Sequence, residues 1–385
     1  MFIELSNYGS IRNLVTDGKP RLDAKGVMMI MGRSGSGKTL LANALYMEPA
    51  LTIADVVRQL ELVEKCPVIV DAVETVKAMA NLFGFRNYDE LHGLSRFSVC
   101  VDSSIASNAL VSAGYDTGSI DFVCLTNDRG KPRIELIMGG RRTTVERTSI
   151  ELVTTLILNT ASIMSWPRQL REGVYSLNYE NMRNIFDSLK RIEKRAGYCD
   201  SDFALSVSAL LRARIPPLVV GEELDFRQIL EIETAIDYLI SPNHRITLTK
   251  PTGELTMQIF NIARDFVKAL KEEASRGQVA GPLIYIDDAF DGVSTINAKE
   301  LVGVMREIIA NGASIILTSY RPEVIAVEDP YIKDFIDNHA TLYIATYGLE
   351  TMSKYVSTGL DYRLWLMNAD TINGEDYEKI IDLLG

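Results

Sequence analysis

One eight-residue segment limits what this chain can fold into more than any other feature. Residues 32–39 read GRSGSGKT, so Gly32, Gly37, Lys38 and Thr39 satisfy the pattern GxxxxGK[ST]. A continuous apolar run at residues 27–31 precedes the segment, and a helical pattern follows it. The pattern therefore predicts a buried parallel strand that delivers the segment to the start of a helix, as in an α/β fold.

The chemistry of this segment indicates a bound triphosphate. Glycines let the backbone curl so that successive N–H groups point at phosphate oxygens, and the helix N-terminus adds a partial positive charge. Lys38 is expected to reach the β- and γ-phosphates, and the Thr39 hydroxyl to ligate Mg²⁺. A glycine-rich turn before a chance lysine is the alternative. The predicted contacts to ATP and Mg²⁺ are Gly32, Arg33, Ser34, Gly35, Ser36, Gly37, Lys38, Thr39 and Leu40.

Two further apolar strands end in polar residues. Residues 283–286 lead into Asp287 and Asp288. Asp287 would ligate the Mg²⁺, and Asp288 would orient or deprotonate the attacking water. Residues 314–318 lead into Ser319, a candidate for contact with the γ-phosphate or the water, because ligands of open α/β sheets bind at the carboxyl ends of strands. Alternatively, the aspartates only start a turn, and Ser319 lies in a connecting loop.

The rest of the chain divides into three predicted regions. Residues 1–95 and 245–385 have α/β texture and would form a split nucleotide-binding core, with a short strand at 68–70 and a terminal helix at 375–384. Residues 96–148 are strand-like, with a hairpin turn at 127–130, and would form an antiparallel β-subdomain. Residues 149–244 would form a helical lobe, with helices at 149–165, 178–196, 201–214 and 225–240.

Composition narrows the function classes. No stretch of about 18 apolar residues occurs, so no membrane-spanning helix is expected. The first residues do not resemble a secretory signal. The four cysteines share no CxxC spacing, and reduced thiols in a cytoplasmic protein are expected. The three histidines are isolated, so they predict no metal site.

The net charge of −11 argues against a surface that is basic overall. Binding to duplex DNA depends strongly on lysine and arginine at phosphates, so any DNA contact would need a local basic patch. Each candidate patch can also be an ordinary solvated face. The candidates are Arg141 and Arg142 with Arg147, Lys190 and Arg191 with Lys194 and Arg195, and Arg212 with Arg214.

Together these segments resemble the ABC-type ATPase heads of the SMC, RecF and RecN group, which are P-loop NTPases with a split core. Residues 2–11, FIELSNYGSI, look like the opening strand of those heads, and GRSGSGKT is similar to their GxNGSGKS. Residues 287–294, DDAFDGVS, resemble DEIDAGIS, which would place Val293 and Ser294 in a D-loop at a dimer interface. The resemblance implies a P-loop NTPase core with an antiparallel β-subdomain and an inserted helical lobe. The chain departs from SMC proteins and RecN in having no room for their long coiled coil.

The resemblance also implies a signature motif at Thr252, Gly253 and Glu254, which would cap the γ-phosphate of ATP held by a second copy. The same residues suit an ordinary helix cap. Other positions depart from the family. Asp288 replaces the catalytic glutamate, and Ser319 or Tyr320 stands where the switch histidine is expected. Gln59 is the nearest candidate for the Q-loop glutamine, with a helix-surface residue as the alternative.

The function implied by the resemblance is an ATPase whose two heads dimerise around ATP, in DNA repair, recombination or chromosome organisation. Because Asp288 is one methylene shorter than glutamate, hydrolysis is expected to be slow. The expected location is cytoplasmic, with nucleoid association left open. Two alternatives remain: a scaffold that binds ATP and dimerises without turnover, and the ATPase subunit of a membrane transporter. The large insertion and the weak signature disfavour the transporter.

Overall fold

The computed structural model describes residues 1–16, 19–23, 26–32, 35–170, 179–214, 252–274, 277–289, 295–319, 340–346 and 360–368. Within these ranges the strands are β1 Phe2–Tyr8, β2 Ile11–Thr16, β3 Val27–Gly32, β4 Arg96–Asp102, β5 Phe122–Asp128, β6 Pro132–Met138, β7 Arg141–Thr144, β8 Met164–Trp166, β9 Leu283–Ile286, β10 Ser314–Ser319, β11 Ala340–Thr346 and β12 Leu360–Asn368. The helices are α1 Lys38–Gln59, α2 Val68–Leu82, α3 Tyr88–Leu94, α4 Ser107–Ser112, α5 Ile150–Ala161, α6 Tyr179–Ala196, α7 Ser201–Arg214, α8 Thr252–Glu273 and α9 Thr295–Ala310.

All of these strands belong to one sheet, in the order β7-β6-β5-β4-β1-β2-β12-β11-β3-β10-β9-β8. The half from β11 to β8 is parallel, whereas the half from β7 to β2 is antiparallel. Strand β12 joins the two halves, because it is antiparallel to β11 and parallel to β2. The predicted fold class, an α/β core with an antiparallel β-portion, is confirmed by this topology.

Strand β3 lies inside the parallel half, between β10 and β11. Its side chains alternate between two hydrophobic clusters, with Val27, Met29 and Met31 in one cluster and Met28 and Ile30 in the other. Both faces of the strand are therefore covered, which explains why its sequence is continuously apolar. Because β3, β10 and β9 are parallel, the segments that follow them emerge at the same edge of the sheet.

The antiparallel strands continue the core sheet directly, because β4 pairs with β1. The predicted hairpin turn between β5 and β6 is confirmed. Its two loop residues, Arg129 and Gly130, have φ angles of 56° and 73°, and Asp128 and Lys131 exchange backbone hydrogen bonds of 3.1 and 3.2 Å. Two consecutive positive φ angles are the geometry of a type I′ turn. The division into core, β-subdomain and helical lobe stays a prediction.

Two secondary-structure predictions are wrong. Residues 68–70 are the first turn of α2 and not a strand, because Val68 and Ile69 share a buried helix face with Ala72, Val73 and Val76. The helix predicted over 149–165 ends at residue 161, and residues 164–166 form β8, which pairs with β9. Strands β2 and β12 are additional to the predictions. The predicted helices at 225–240 and 375–384 lie outside the described residues.

The expectation of four reduced thiols is also wrong. Cys100 and Cys124 lie directly opposite each other in the β4–β5 register and are disulfide-bonded. Cys66, just before α2, is bonded to Cys199, in the turn between α6 and α7. The two pairs are 24 and 133 residues apart in sequence. Strand register and helix packing bring them together, and neither is visible in cysteine spacing.

Helix α1 is the one helix among the described residues that is long and apolar enough to cross a bilayer. Within the protein, 83% of its most apolar window is buried. Helices at the centre of a fold pass the same test of length and composition.

Candidate functional site

The GxxxxGK[ST] segment turns sharply between β3 and α1. Gly35 and Gly37 have φ angles of 85° and 94°, in the left-handed region that glycine adopts without a steric penalty. Gly37 is the N-cap residue of α1, so Lys38, Thr39 and Leu40 form the first turn of that helix. The first turn of a helix presents backbone N–H groups that have no acceptor within the helix. Arg33 and Ser34 lie outside the described residues.

Lys38 is buried at the start of α1. Its Nζ donates a hydrogen bond of 3.1 Å to Ser36 Oγ. Burial lowers the pKa of Lys38, and the charges of Asp287 and Asp288 oppose that shift. The carboxylates therefore favour the ammonium form in a site that otherwise disfavours charge. The Tyr285 hydroxyl in β9 donates to the backbone carbonyl of Lys38 at 2.9 Å, which ties the two elements together.

Asp287 follows β9 and lies beside the first turn of α1. Thr39 Oγ1 donates a hydrogen bond of 2.7 Å to Asp287 Oδ2, across 248 residues of sequence. Thr318 Oγ1, in β10, donates a hydrogen bond of 2.7 Å to Asp287 Oδ1. The structure thus brings together the two residues that the sequence predicts as metal ligands. Three elements hold the carboxylate at the edge of the sheet.

Asp288 has a φ angle of 57°, which is uncommon for a residue with a side chain. Its backbone N–H donates to Thr318 Oγ1 at 2.9 Å. The Arg168 Nη1 atom lies 3.5 Å from Asp288 Oδ2. Left-handed backbone at a non-glycine residue persists where its surroundings hold it in place, and such residues cluster at functional sites. Thr318 therefore holds Asp288 at the same edge of the sheet as Asp287.

The structure adds two residues, Thr318 and Arg168, to those predicted for the site. Thr318 contacts both aspartates. Ser319 is buried at the end of β10 opposite Met31 of β3, and its predicted contact with the γ-phosphate or the water stays a prediction. The strand end was visible in the sequence, but which of the two hydroxyls faces β9 depends on the register. Arg168 follows β8, and the prediction of one continuous helix over 149–165 concealed that strand. A Pro167 directly before Arg168 was the available signal of a break.

The Q-loop assignment to Gln59 is wrong in position. Gln59 is the last residue of α1, whose first residue is Lys38. A helix of 22 residues spans roughly 33 Å, so Gln59 lies far from the segment. Among the described residues, Gln169 lies near this edge, because it directly follows Arg168, and the backbone N–H of Arg168 donates to Asp287 Oδ2 at 3.3 Å.

The remaining predicted residues are placed as follows. The side chain of Leu40 packs beside the cluster of Met28 and Ile30. Thr252, Gly253 and Glu254 form the first turn of α8, and their role in a second copy stays a prediction. Val293, Ser294 and Tyr320 lie outside the described residues.

The donor chemistry of the site suits Mg²⁺. The ion prefers oxygen ligands and is usually bound by one or two carboxylates together with substrate phosphates. Thr39 supplies a hydroxyl and Asp287 a carboxylate, with their oxygens 2.7 Å apart. Among the described residues no group of three His, Cys, Asp or Glu side chains could hold a metal. A metal at Thr39 and Asp287 would therefore take most of its ligands from phosphate and water.

Several residues of the candidate basic patches are paired with carboxylates or buried. Arg142 forms ion pairs with Glu4 and with Glu135, the second at 2.7 Å. Arg195 pairs with Asp71 at 3.0 Å. Arg214 is fully buried and donates to the backbone carbonyls of Tyr46 and Ala161. Burial lowers the pKa of Arg214 to about 9. It therefore belongs to the interior and not to a DNA-binding surface.

Comparison with known proteins gives structural matches only. No protein-family model matches the sequence, and no curated protein is significantly similar to it. One similar structure is an Smc head bound to the C-winged helix domain of ScpA, with a TM-score of 0.40, 12% identity, and coverage of 96% of this chain and 98% of that one.

A second is the Smc head domain with an extended coiled coil, bound to the C-terminal domain of ScpA derived from Pyrococcus furiosus. It has a TM-score of 0.38 and 13% identity, and the match covers 99% of this chain and 98% of that chain. Both of these structures are SMC heads.

Proposed function

We propose that this protein binds ATP with Mg²⁺ and hydrolyses it slowly, and that its heads dimerise around the nucleotide. The observation that supports this most directly is the 2.7 Å hydrogen bond between Thr39 and Asp287. A hydroxyl at the start of a helix and a carboxylate from a distant strand are the two protein ligands that a P-loop site requires for its metal. A glycine-rich turn without a nucleotide would not need that carboxylate.

Each residue has a distinct task in the proposed reaction. The first turn of α1 and Lys38 bind the phosphate oxygens. Bound Mg²⁺ would neutralise the charge that develops on those oxygens. Asp288 accepts a proton from the attacking water, whose oxygen bonds to the γ-phosphorus as the bond to the bridging oxygen breaks, so that ADP leaves with the bonding electrons. Thr318 keeps Asp287 and Asp288 in place.

Slow turnover is proposed because Asp288 has a short side chain. It stands where the family has a glutamate, and its backbone is held by Thr318. A carboxylate that is one methylene shorter and anchored in this way reaches less far toward a water on the γ-phosphate. Catalysis by a positioned base depends steeply on that distance.

The proposed dimer rests on the resemblance of the start of α8 to a signature motif. Its first turn contains Thr252, Gly253 and Glu254, and a helix N-terminus attracts anions. If this turn caps the γ-phosphate bound to a second copy, ATP becomes part of the interface and stabilises the dimer by mass action. A setting in DNA repair, recombination or chromosome organisation, in the cytoplasm or at the nucleoid, is proposed from the sequence resemblance.

The nucleotide assignment is tested with Lys38→Ala. We expect calorimetry to show that this variant no longer binds ATP, because the ammonium group proposed to contact the phosphates is removed. Lys268→Ala is the matched control, since Lys268 pairs with Glu307 on the surface at 2.9 Å. Unchanged ATP affinity in Lys38→Ala would refute the phosphate-loop assignment.

The dimer is tested with Asp288→Asn in light scattering. We expect ATP-Mg to shift this variant to twice the monomer mass, because it binds ATP without consuming it, whereas ADP leaves it monomeric. A variant that remains monomeric with ATP counts against the shared site. Phosphate release by the unmodified protein separates the ATPase from a scaffold, since a scaffold would show the same rate as Asp288→Asn.

A further inference from the structure

Arg168 reaches the two aspartates through the pairing of β8 with β9. Trp166, the last residue of β8, lies opposite Ile286, the last residue of β9. The backbone N–H of Asp287 then donates to the Trp166 carbonyl at 3.1 Å. The chain turns at Pro167, and Arg168 is delivered to the same edge of the sheet as the GxxxxGK[ST] segment. Its position is therefore set by the backbone of the sheet.

Arg168 contacts both aspartates at this edge. Its backbone N–H donates to Asp287 Oδ2 at 3.3 Å. Its guanidinium lies 3.5 Å from Asp288 Oδ2, which is longer than a well-formed charge-assisted hydrogen bond. The Arg168 side chain is 45% exposed, whereas that of Asp288 is 8% exposed.

The two partners differ in how firmly they are held. Asp288 is buried, and its backbone N–H is bound to Thr318 Oγ1. The Arg168 side chain is only half-buried, and its contact with Asp288 Oδ2 is long, at 3.5 Å. Of the two side chains, that of Arg168 is the less buried and has more room to move.

A triphosphate would offer Arg168 a better partner. Guanidinium groups bind phosphate oxygens with two parallel hydrogen bonds, which a single carboxylate oxygen at 3.5 Å does not provide. A bound triphosphate is therefore a better partner for the Arg168 guanidinium than Asp288 is.

We propose that Arg168 pairs with Asp288 in the nucleotide-free protein and transfers its guanidinium to the terminal phosphate of bound ATP, which releases Asp288 to act on water. This exchange rests on the proposed ATP binding. It makes Arg168 a sensor of the γ-phosphate: ADP lacks that group and leaves the ion pair in place.

The experiment compares dissociation constants for ATP-Mg and ADP-Mg, measured by calorimetry on the full chain. The variants are Arg168→Gln, Asp288→Asn and the double variant, with Arg168→Lys to retain the charge. Arg195→Gln is the matched control, because Arg195 in α6 forms an ion pair of 3.0 Å with Asp71 in α2. Circular dichroism confirms that each variant is folded.

We expect Arg168→Gln to weaken ATP binding by about ten-fold, the scale of a hydrogen bond to a charged group, and ADP binding by less than about two-fold. Arg168→Lys should lie between the wild type and Arg168→Gln. Asp288→Asn should strengthen ATP binding when Arg168 is present, because no ion pair has to break, and should do so less in the Arg168→Gln background.

Three results would overturn the exchange. Arg168→Gln could match the Arg195→Gln control, or it could weaken ATP and ADP equally, which indicates a structural role. The effects of Arg168→Gln and Asp288→Asn could also be additive. All three leave the proposed ATP binding intact. If the wild type binds no ATP, the proposed function and the exchange both fail.

Discussion

At Asp287 the two carboxylate oxygens accept hydrogen bonds from different elements, Thr39 in α1 and Thr318 in β10. Thr318 also accepts the backbone N–H of Asp288. In the proposed ATPase, groups held in this way would need little reorganisation when ATP binds, and such preorganisation is a main source of catalytic power. One hydroxyl in β10 therefore organises both acidic residues.

A second buried polar group, far from these aspartates in sequence, is centred on His92. Its Nδ1 lies 2.8 Å from Glu48 Oε2, and its Nε2 lies 3.0 Å from Asp55 Oδ2. Burial by itself would lower the pKa of His92, but the hydrogen bonds and charges of Asp55 and Glu48 raise it to about 9. The imidazolium therefore links α3 to the middle of α1.

The raised pKa of His92 predicts a pH-dependent stability. Because the folded-state pKa exceeds the unfolded value of 6.5, the contribution is complete below pH 6.5 and is lost as the pH rises through about 9. We expect the free energy of unfolding to fall by roughly 2–3 kcal/mol over that range. Urea unfolding at pH 6, 7.5 and 9 measures it. His92→Gln should show a flatter profile, and parallel profiles would contradict the assignment.

At the scale of elements, the starts of β9 and β10 approach each other closely. A Cβ atom at Gly281 would lie 2.0 Å from the carbonyl oxygen of Gly312. The Ser314 N–H donates to the Pro282 carbonyl at 2.9 Å. This contact sets the β9–β10 register, in which Ile286 lies opposite Leu317. The same register then brings the residues after β9 to Thr318 at the other end.

Gly281→Ala is therefore expected to be strongly destabilising. Gly281 and Gly312 have similar φ angles of 83° and 88°, but a Cβ at Gly312 would meet open space. Gly312→Ala should cost only the backbone strain, about 1–2 kcal/mol. Gly281→Ala should cost about 2 kcal/mol more, because backbone must shift. Chemical denaturation of both variants measures the difference, and equal losses would show that the close approach is absent.

At the scale of the whole molecule, the two disulfides constrain very different lengths of chain. Cys100–Cys124 closes a 24-residue separation within the sheet. Cys66–Cys199 closes a 133-residue separation and joins the start of α2 to the turn between α6 and α7. It thereby connects the turn between α6 and α7 to the segment between α1 and α2. A longer closed loop removes more entropy from the unfolded chain.

Loss of the longer-range disulfide should therefore be the more damaging change. On the chain-entropy estimate, Cys199→Ser costs about 5 kcal/mol and Cys124→Ser about 3.5 kcal/mol under oxidising conditions. With a strong reductant, each variant should match the reduced wild type closely. Thermal unfolding with and without reductant measures both effects. Four free thiols in the denatured, unreduced wild type would contradict the two pairings.

The sequence by itself determined the features that depend on neighbouring residues. These are the strand, turn and helix around GRSGSGKT, the strand that leads into Asp287, and the Arg129-Gly130 hairpin. Each is encoded in a local pattern of apolar residues and glycines, which can be identified in a single sequence.

Only the tertiary structure decided which distant residues meet. The register of β10 placed Thr318 beside the two aspartates, the pairing of β8 with β9 delivered Arg168, and the β4–β5 register joined Cys100 to Cys124. Strand order and register arise from packing over the whole sheet, and a shift of one residue would turn every side chain to the other face. The local periodicity of the sequence does not indicate strand order or register.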